Sequence, residues 1–293
     1  STVVSQNATA DTEQVGAVAQ LSIEKMIHYP EVIDRLYQST SYRLNWEDED
    51  IAQQFLFQLQ VLSLAKVSPV FQDQIRRVAY VEEEGDALDY DLVMTDTLLM
   101  YLSYLEQVQE HGLQWLFGQT EEVSLPEPSI EVLTALSTEI TIGKLEQFLI
   151  NLSSPLQSDP AFNQSFYSLQ DYAKLDYPTY LQQGLARVGD VLENKPILLE
   201  RMQVVGIDVD DLLYSGPQFD EELEMAIKAF QKIHGLKQDG IIGPNTIRWV
   251  NFSPEQRLHL LALNSERSRL WAKERDNVVF VNVPGMKLSL IHI

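Results

Sequence analysis

Between Phe219 and Asn251 the chain reads FDEELEMAIKAFQKIHGLKQDGIIGPNTIRWVN, and the punctuation of this stretch leaves few folds open. Leu223, Ile227 and Phe230 recur at i, i+4 and i+7, which predicts one apolar helix face. Phe219-Asp220 offers a cap for that helix, and Asp220, Glu221, Glu222 and Glu224 suit the positive end of its dipole. His234-Gly235 ends it, because glycine takes the left-handed conformation that closes a helix. Asp239-Gly240 is a turn signal. Gly243-Pro244 then starts a second helix, since the N–H that proline lacks would have no helical partner there. Ile247 and Val250 give this shorter helix its buried side. The expectation is helix, tight turn, helix, with Phe230, Leu236, Ile242 and Ile247 in the core.

The chain has 293 residues, room for about two domains. Its net charge of −22 argues against nucleic acid or an anionic membrane as a partner, because both need a basic footprint. Most of that charge falls before residue 194 and reads as a solvated face. Cysteine is absent, which excludes a disulfide, a cysteine metal site or a cysteine nucleophile within these residues. No apolar run approaches the roughly 18 residues of a membrane span, and no charged-then-apolar leader opens the chain. The opening STVVSQNATADTEQ is small and polar, as in a mature end from which any export signal has gone.

Residues 1–19 are expected to be a flexible arm, and 20–193 a wholly helical body. Leu21–Leu36 is patterned as a helix broken at Pro30. The run Glu47–Asp50 suits the start of a helix with Ile51, Phe55, Leu59 and Leu62 on its apolar face; it lacks the glycine and ligand spacing of a calcium loop. A helix over 69–81 is followed by an acidic loop, Glu82–Asp86. Leu88–Leu105 is apolar nearly all round, which predicts the buried centre of this body. Asp96 lies within it and, if buried, needs a hydrogen-bond partner. Helices are expected at 129–151, 160–175 and 178–193, then Pro196–Gly206, and 254–273 capped by Ser253. Val278–Leu290 alternates as strand, turn, strand.

The strings Ala229-Phe230-Gln231, His234-Gly235-Leu236 and Asp239 to Thr246 (DGIIGPNT) resemble the second half of a peptidoglycan-binding domain of the small three-helix type. Pro196–Gly206 is similar to that domain's first helix. Leu36-Tyr37 with Trp46, and Thr95-Asp96 with Tyr101, resemble the helical scaffold domain of large YcbB-like L,D-transpeptidases. Leu263 to Trp271 (LNSERSRLW) is similar to that family's linker helix, departing from it at Ser268 and Leu270. Val281-Asn282-Val283-Pro284 is similar to the first strand of its catalytic domain. The resemblance implies a mainly α chain: a scaffold domain over 20–193, a three-helix peptidoglycan-binding domain over 194–252, a linker helix over 253–276, and a terminal β-hairpin over 277–293. That hairpin would open an incomplete catalytic domain, cut short at Ile293.

The family's cysteine nucleophile, in a Ser-x-Gly-Cys-x-Arg context with an upstream histidine base, is missing. No catalytic residue, metal site or cofactor is therefore assigned. The five histidines show no metal-ligand spacing; neither a nucleophile elbow nor a phosphate loop is present. A glycosidase-like carboxylate pair stays open among so many acids. The partner implied by the resemblance is peptidoglycan, through its glycan strands or stem peptides, in the periplasm or cell envelope. For ligand contact the groove beside the helix–turn–helix offers Gln231, His234, Asp239, Asn245 and Thr246, with Trp249 for packing. Asp239 could instead fix the turn, and Thr246 could cap the second helix. The same module on a peptidoglycan hydrolase or amidase, or on a non-catalytic wall protein, is the alternative, because a module does not fix the chemistry beside it.

Overall fold

The computed structural model of the chain describes residues 25–112 and 125–271, together with the backbone of two segments, Asn277–Val281 and Leu288–His292. Among the described residues the fold is mainly α, with eleven α-helices and one 3-10 turn. The arm expected over 1–19 lies outside them. The two C-terminal segments run antiparallel, with Asn277 opposite His292. The turn between them and all their side chains lie outside the described residues, so the expected hairpin is not shown. No described helix is long and apolar enough to cross a membrane. The chain divides into two compact units, one ending at Ser153 and one starting at Ser154.

The first unit contains α1 (Pro30–Ser39), α2 (Glu49–Ala65), α3 (Pro69–Glu84), α4 (Ala87–His111), α5 (Ile130–Thr141) and α6 (Leu145–Asn151). Helix α4 is its centre, as its all-round apolar pattern predicts: Val93, Met94, Leu98, Leu99, Met100, Leu102 and Val108 are all buried. Helices α1 and α3 pack on α4, while α6 packs on α2 and α5. A capping box between Asp86 and Asp89 starts α4, and Asp48 accepts from Asp50 N to start α2. Two expectations are corrected. Glu82–Glu84 are the last turn of α3 rather than a loop. The single helix expected over 129–151 is two, interrupted at Gly143, whose φ of +73° no helix continues through.

The residues that carry the scaffold resemblance meet in the interior of this unit. Asp91 Oδ1 accepts from the N–H groups of Asn45 (2.7 Å) and Trp46 (2.9 Å), and the Tyr37 hydroxyl donates to Asp91 Oδ2. Thr95 Oγ1 accepts from Trp46 Nε1 at 2.9 Å and, since the Tyr37 proton is given to Asp91, donates to Tyr37 Oη at 2.9 Å. One turn on, buried Asp96 takes the N–H groups of His28 (2.9 Å) and Tyr29 (3.0 Å) on one oxygen and His28 Nδ1 (2.8 Å) on the other. Asp96 thus has the partners its burial demands, and its role is structural. Burial raises the pKa of Asp91, against the pull of the Tyr37 hydroxyl and the two N–H groups.

The second unit contains α7 (Pro160–Ala173), α8 (Lys195–Gln203), a 3-10 turn at Asp210–Leu212, α9 (Glu221–Ile233), α10 (Pro244–Val250) and α11 (Pro254–Ser268). Helices α7 and α11 pack together, and the chain just before α7 docks on α11 through serines: Ser154 Oγ lies 2.7 Å from Ser265 Oγ, and Ser265 and Ser268 are fully buried. Leu223, Ile227 and Phe230 of α9 are completely buried among Leu198, Leu199, Met202, Ile242 and Val250. Each such side chain contributes about 1.5–3 kcal/mol. Helix α11 stops at Ser268, earlier than expected.

The helix expected over 178–193 is not there. Gly184 (φ +72°) and Gly189 (φ +97°) break it, and the segment runs as an extended strap. Ala186 and Ile242 exchange both backbone hydrogen bonds, at 3.1 and 2.9 Å. Further along, Leu192 N donates to Pro217 O at 2.8 Å and Gly189 N to Phe219 O at 2.9 Å. Tyr180, Ala186 and Leu192 drop from the strap into the core around α9.

Candidate functional site

The turn between α9 and α10 forms because Asp239 and Gln231 hold it from inside. Asp239 Oδ1 accepts from Ile241 N at 3.0 Å, the self-bridging turn available to a short acidic side chain. Gln231 is buried and fully used. Its two Nε2 protons are shared among Asp239 Oδ1 (3.0 Å), Ile241 O (3.0 Å) and, more distantly, Thr246 Oγ1 (3.3 Å), and its Oε1 accepts from Gly240 N (2.9 Å). Gly240 sits at φ +73°, where glycine is the low-cost residue. Thr246 does not cap α10: that place belongs to Gly243, and Thr246 Oγ1 donates instead to Ile241 O at 3.3 Å. The Ile241 N–H, then Gln231 and Lys237, hold the Asp239 carboxyl below its usual range.

Over this turn lies a groove of about 250 Å³. Gln231, Asp239, Asn245 and Thr246 line it, joined by Leu185 from the strap and by Leu236, Lys237, Ile241, Gly243 and Pro244. Four of the six residues expected at a ligand site are therefore brought together. Asn245 is exposed at the rim, whereas Gln231 and Thr246 form a buried, hydrogen-bonded floor.

His234 and Trp249 are placed elsewhere. The His234 ring is buried, 4.0 Å from the Phe230 ring centre and 4.9 Å from that of Trp249. Its Nε2 lies 3.1 Å from Arg257 Nη1, and its Nδ1 lies 2.8 Å from Phe230 O. Arginine only donates, so Nε2 accepts and the proton is on Nδ1, donated to Phe230 O. Burial pushes the His234 pKa down to about 4; the Phe230 carbonyl resists and the Arg257 charge adds to the drop. Arg257 itself donates to Trp249 O at 2.7 Å and Phe252 O at 3.2 Å. Arg201 donates to Val250 O at 3.3 Å, Pro178 O at 2.7 Å and Tyr177 O at 2.8 Å. The two guanidinium groups thus satisfy carbonyls at the C-terminal end of α10, the negative end of its dipole.

A family model described as "Scaffold domain" matches residues 31–157, and one described as "Putative peptidoglycan binding domain" matches 210–250. A protein of Haemophilus influenzae named "Putative L,D-transpeptidase" is 23% identical over 160 residues, 55% of this chain. The chain is a distant homologue of that protein. It spans about a third of that relative's length, 32%. The turn and every groove residue but Leu185 lie inside the peptidoglycan-binding match; the Asp91 network lies inside the scaffold match, as does Asp96 itself, whose partners His28 and Tyr29 just precede it.

Leu185 precedes the peptidoglycan-binding match and enters the groove from the strap. Nothing in the sequence pointed to it, because the segment reads as a helix whose next residues belong elsewhere. Arg257 carried a weak signal. The capping box Ser253–Gln256 locates the first turn of α11, and an arginine four residues after the cap points back toward the preceding chain.

Proposed function

We propose that this chain is the wall-binding and scaffolding portion of an L,D-transpeptidase. Its small helical domain holds peptidoglycan at the groove over the 239–246 turn. Cross-linking of stem peptides through a cysteine acyl-enzyme belongs to a catalytic segment that these 293 residues, having no cysteine, do not carry. The observation that supports this reading best is the order of a scaffold match and then a peptidoglycan-binding match, with similarity to a protein named as an L,D-transpeptidase. In the same reading residues 20–193 are the scaffold, 194–252 the binding domain and 253–276 the linker. The segments within 277–293 are then the first strands of the catalytic fold, and the protein works at the cell envelope.

Within the site, Asp239, Asn245 and Thr246 are the groups that meet ligand, with Gln231 holding their turn. His234 and Trp249 support the groove from the core side. The test is a titration of the chain with a soluble disaccharide-peptide fragment of peptidoglycan, followed by backbone amide NMR. Shifts grouped at Gly240, Asn245 and Thr246 are the expected result. Unmoved amides at millimolar fragment would sink the reading and leave the domain as a spacer.

A further inference from the structure

Peptidoglycan offers two chemistries: rigid sugar rings, and short peptides with methyl groups, free carboxylates and free amines. The groove's lining suits one of them. Sugar rings are held by stacking their C–H faces on aromatic side chains, and none of the lining residues is aromatic. Its walls are instead Leu185, Leu236, Ile241 and Pro244, the size and chemistry of a slot for small aliphatic groups. At its rim, Lys237 Nζ and Asp239 Oδ2 lie 3.7 Å apart, a loose pair with the lysine side chain 88% exposed. An exposed pair of this kind holds together weakly, so each member is free to engage an opposite charge. The Asn245 amide beside them adds a donor and an acceptor.

Leu185 is the least expected wall. It is 65% exposed, so core packing does not explain its position. The backbone pairing of its neighbour Ala186 with Ile242 fixes it there. Gly243 makes room for it: a Cβ at that position would come within 3.1 Å of Leu185 Cδ2. A large apolar side chain is thus held in place by the strap and left uncovered along the groove.

We infer that the groove takes the stem peptide of peptidoglycan rather than its glycan, with Leu185 as the aliphatic wall and Lys237, Asp239 and Asn245 meeting the peptide's charged and amide groups. This rests on the reading that the small domain binds peptidoglycan. Calorimetric titration of the full chain separates the two, using a free stem tetrapeptide, a peptide-free GlcNAc–MurNAc tetrasaccharide and a disaccharide tetrapeptide. The peptide and the disaccharide peptide should bind within about threefold of each other, and the tetrasaccharide should not bind. Leu185→Asp should weaken peptide binding about tenfold or more, the scale of one lost apolar contact. Lys237→Ala, at a side chain too exposed to disturb the fold, should weaken it about threefold. Binding of the tetrasaccharide but not the peptide would overturn this inference and leave the peptidoglycan-binding reading standing. Binding of none of the three would overturn both. Peptide binding that both variants leave unchanged would overturn the placement in this groove.

Discussion

The two units bury charge of mostly opposite sign: among the described residues the second holds one buried acid, Glu266, paired with Arg269, and its other buried charges are cations. In the first unit the buried charges are acids, Asp91 and Asp96 on α4, and each takes the N–H groups of two consecutive residues of a passing segment. In the second they include the cations Arg201 and Arg257, which take the carbonyls where α10 ends, and Lys195, whose Nζ donates to Gln218 O at 2.7 Å. What sets the sign is the backbone the charge has to hold. A segment that enters a helical body outside any helix brings unpaired N–H groups; a helix that ends inside a core brings unpaired carbonyls. In the first unit the side chain pins chain outside any helix; in the second it holds the end of α10, and Arg201 also pins Tyr177 and Pro178 at the start of the strap. An apolar replacement would therefore strand several buried backbone groups, each at a cost of about 1–3 kcal/mol.

The comparison breaks most easily at Asp96. Asp96→Ala should destabilise the first unit by about 4 kcal/mol, the range for removing one partner of a buried charged cluster. Asp96→Asn should lose less than half of that, because its carbonyl still accepts the two N–H groups. Urea melts measure both, and a cost under about 1 kcal/mol for the alanine variant would mean that the carboxylate is not what holds residues 28–29 in place. The mirror experiment is Arg257→Met. It keeps the bulk but strands two carbonyls and His234 Nε2, for about 3 kcal/mol by the same measurement. It also removes a charge that depresses His234, so the His234 titration followed by NMR should move upward from about 4.

His234 gives the comparison a pH axis. In the folded state its pKa is about 4, against about 6.5 for a free histidine. Between those values the unfolded chain binds the proton and the folded chain does not. The stability that neutral His234 supports is therefore full above about pH 6.5, and is lost as pH falls through that window. The loss approaches 3 kcal/mol near pH 4. Protonation at Nε2 would also set two cations 3.1 Å apart. Melts at pH 7.5 and 4.5 should show a drop in the parent that is smaller in His234→Phe; equal drops would detach His234 from acid sensitivity.

How much of this was legible in the sequence follows from which interactions are local. The elements and turns of the α9–turn–α10 segment were readable, though Leu236, expected in the core, lines the groove instead and Ile247 is only partly buried. Asp220 caps α9, Gly235 closes it at φ +63°, and Gly243-Pro244 starts α10, each a choice made within four residues of its effect. The buried centre α4 was readable because its apolar pattern has no polar side. The strap was not. The residues it buries, at 180, 186 and 192, share no helix face, but that they are the buried ones is decided by pairing partners far along the chain, Pro217, Phe219 and Ile242. His234 and Trp249 were expected in the groove because they neighbour it in sequence. The end of α9 turns the His234 ring inward to Arg257, and Trp249, on α10, packs half-buried against that ring. Gln231 was legible as a polar group in the right region, but its four hydrogen bonds, which make it the floor rather than the rim, are visible only in three dimensions.

The smallest effects separate the turn from the groove above it. Gly240 lies at φ +73°, and a Cβ there would come within 2.5 Å of Glu224 Cγ. Glu224 is a flexible side chain and can move aside, so the lasting cost of Gly240→Ala is the left-handed backbone, about 1–2 kcal/mol. Gly243 differs in both respects. Its φ of −111° is open to any residue, and the obstacle is the tip of an exposed leucine. Gly243→Ala should cost about 0.5 kcal/mol or less, within the range of a changed helix cap. It should still displace the Leu185 methyl signals in a carbon–proton NMR spectrum and leave those of Ile227 in place. A large loss of stability in Gly243→Ala would mean that Leu185 is held as tightly as a core residue. The strap would then belong with the pinned segments of both units rather than with a surface left open for ligand.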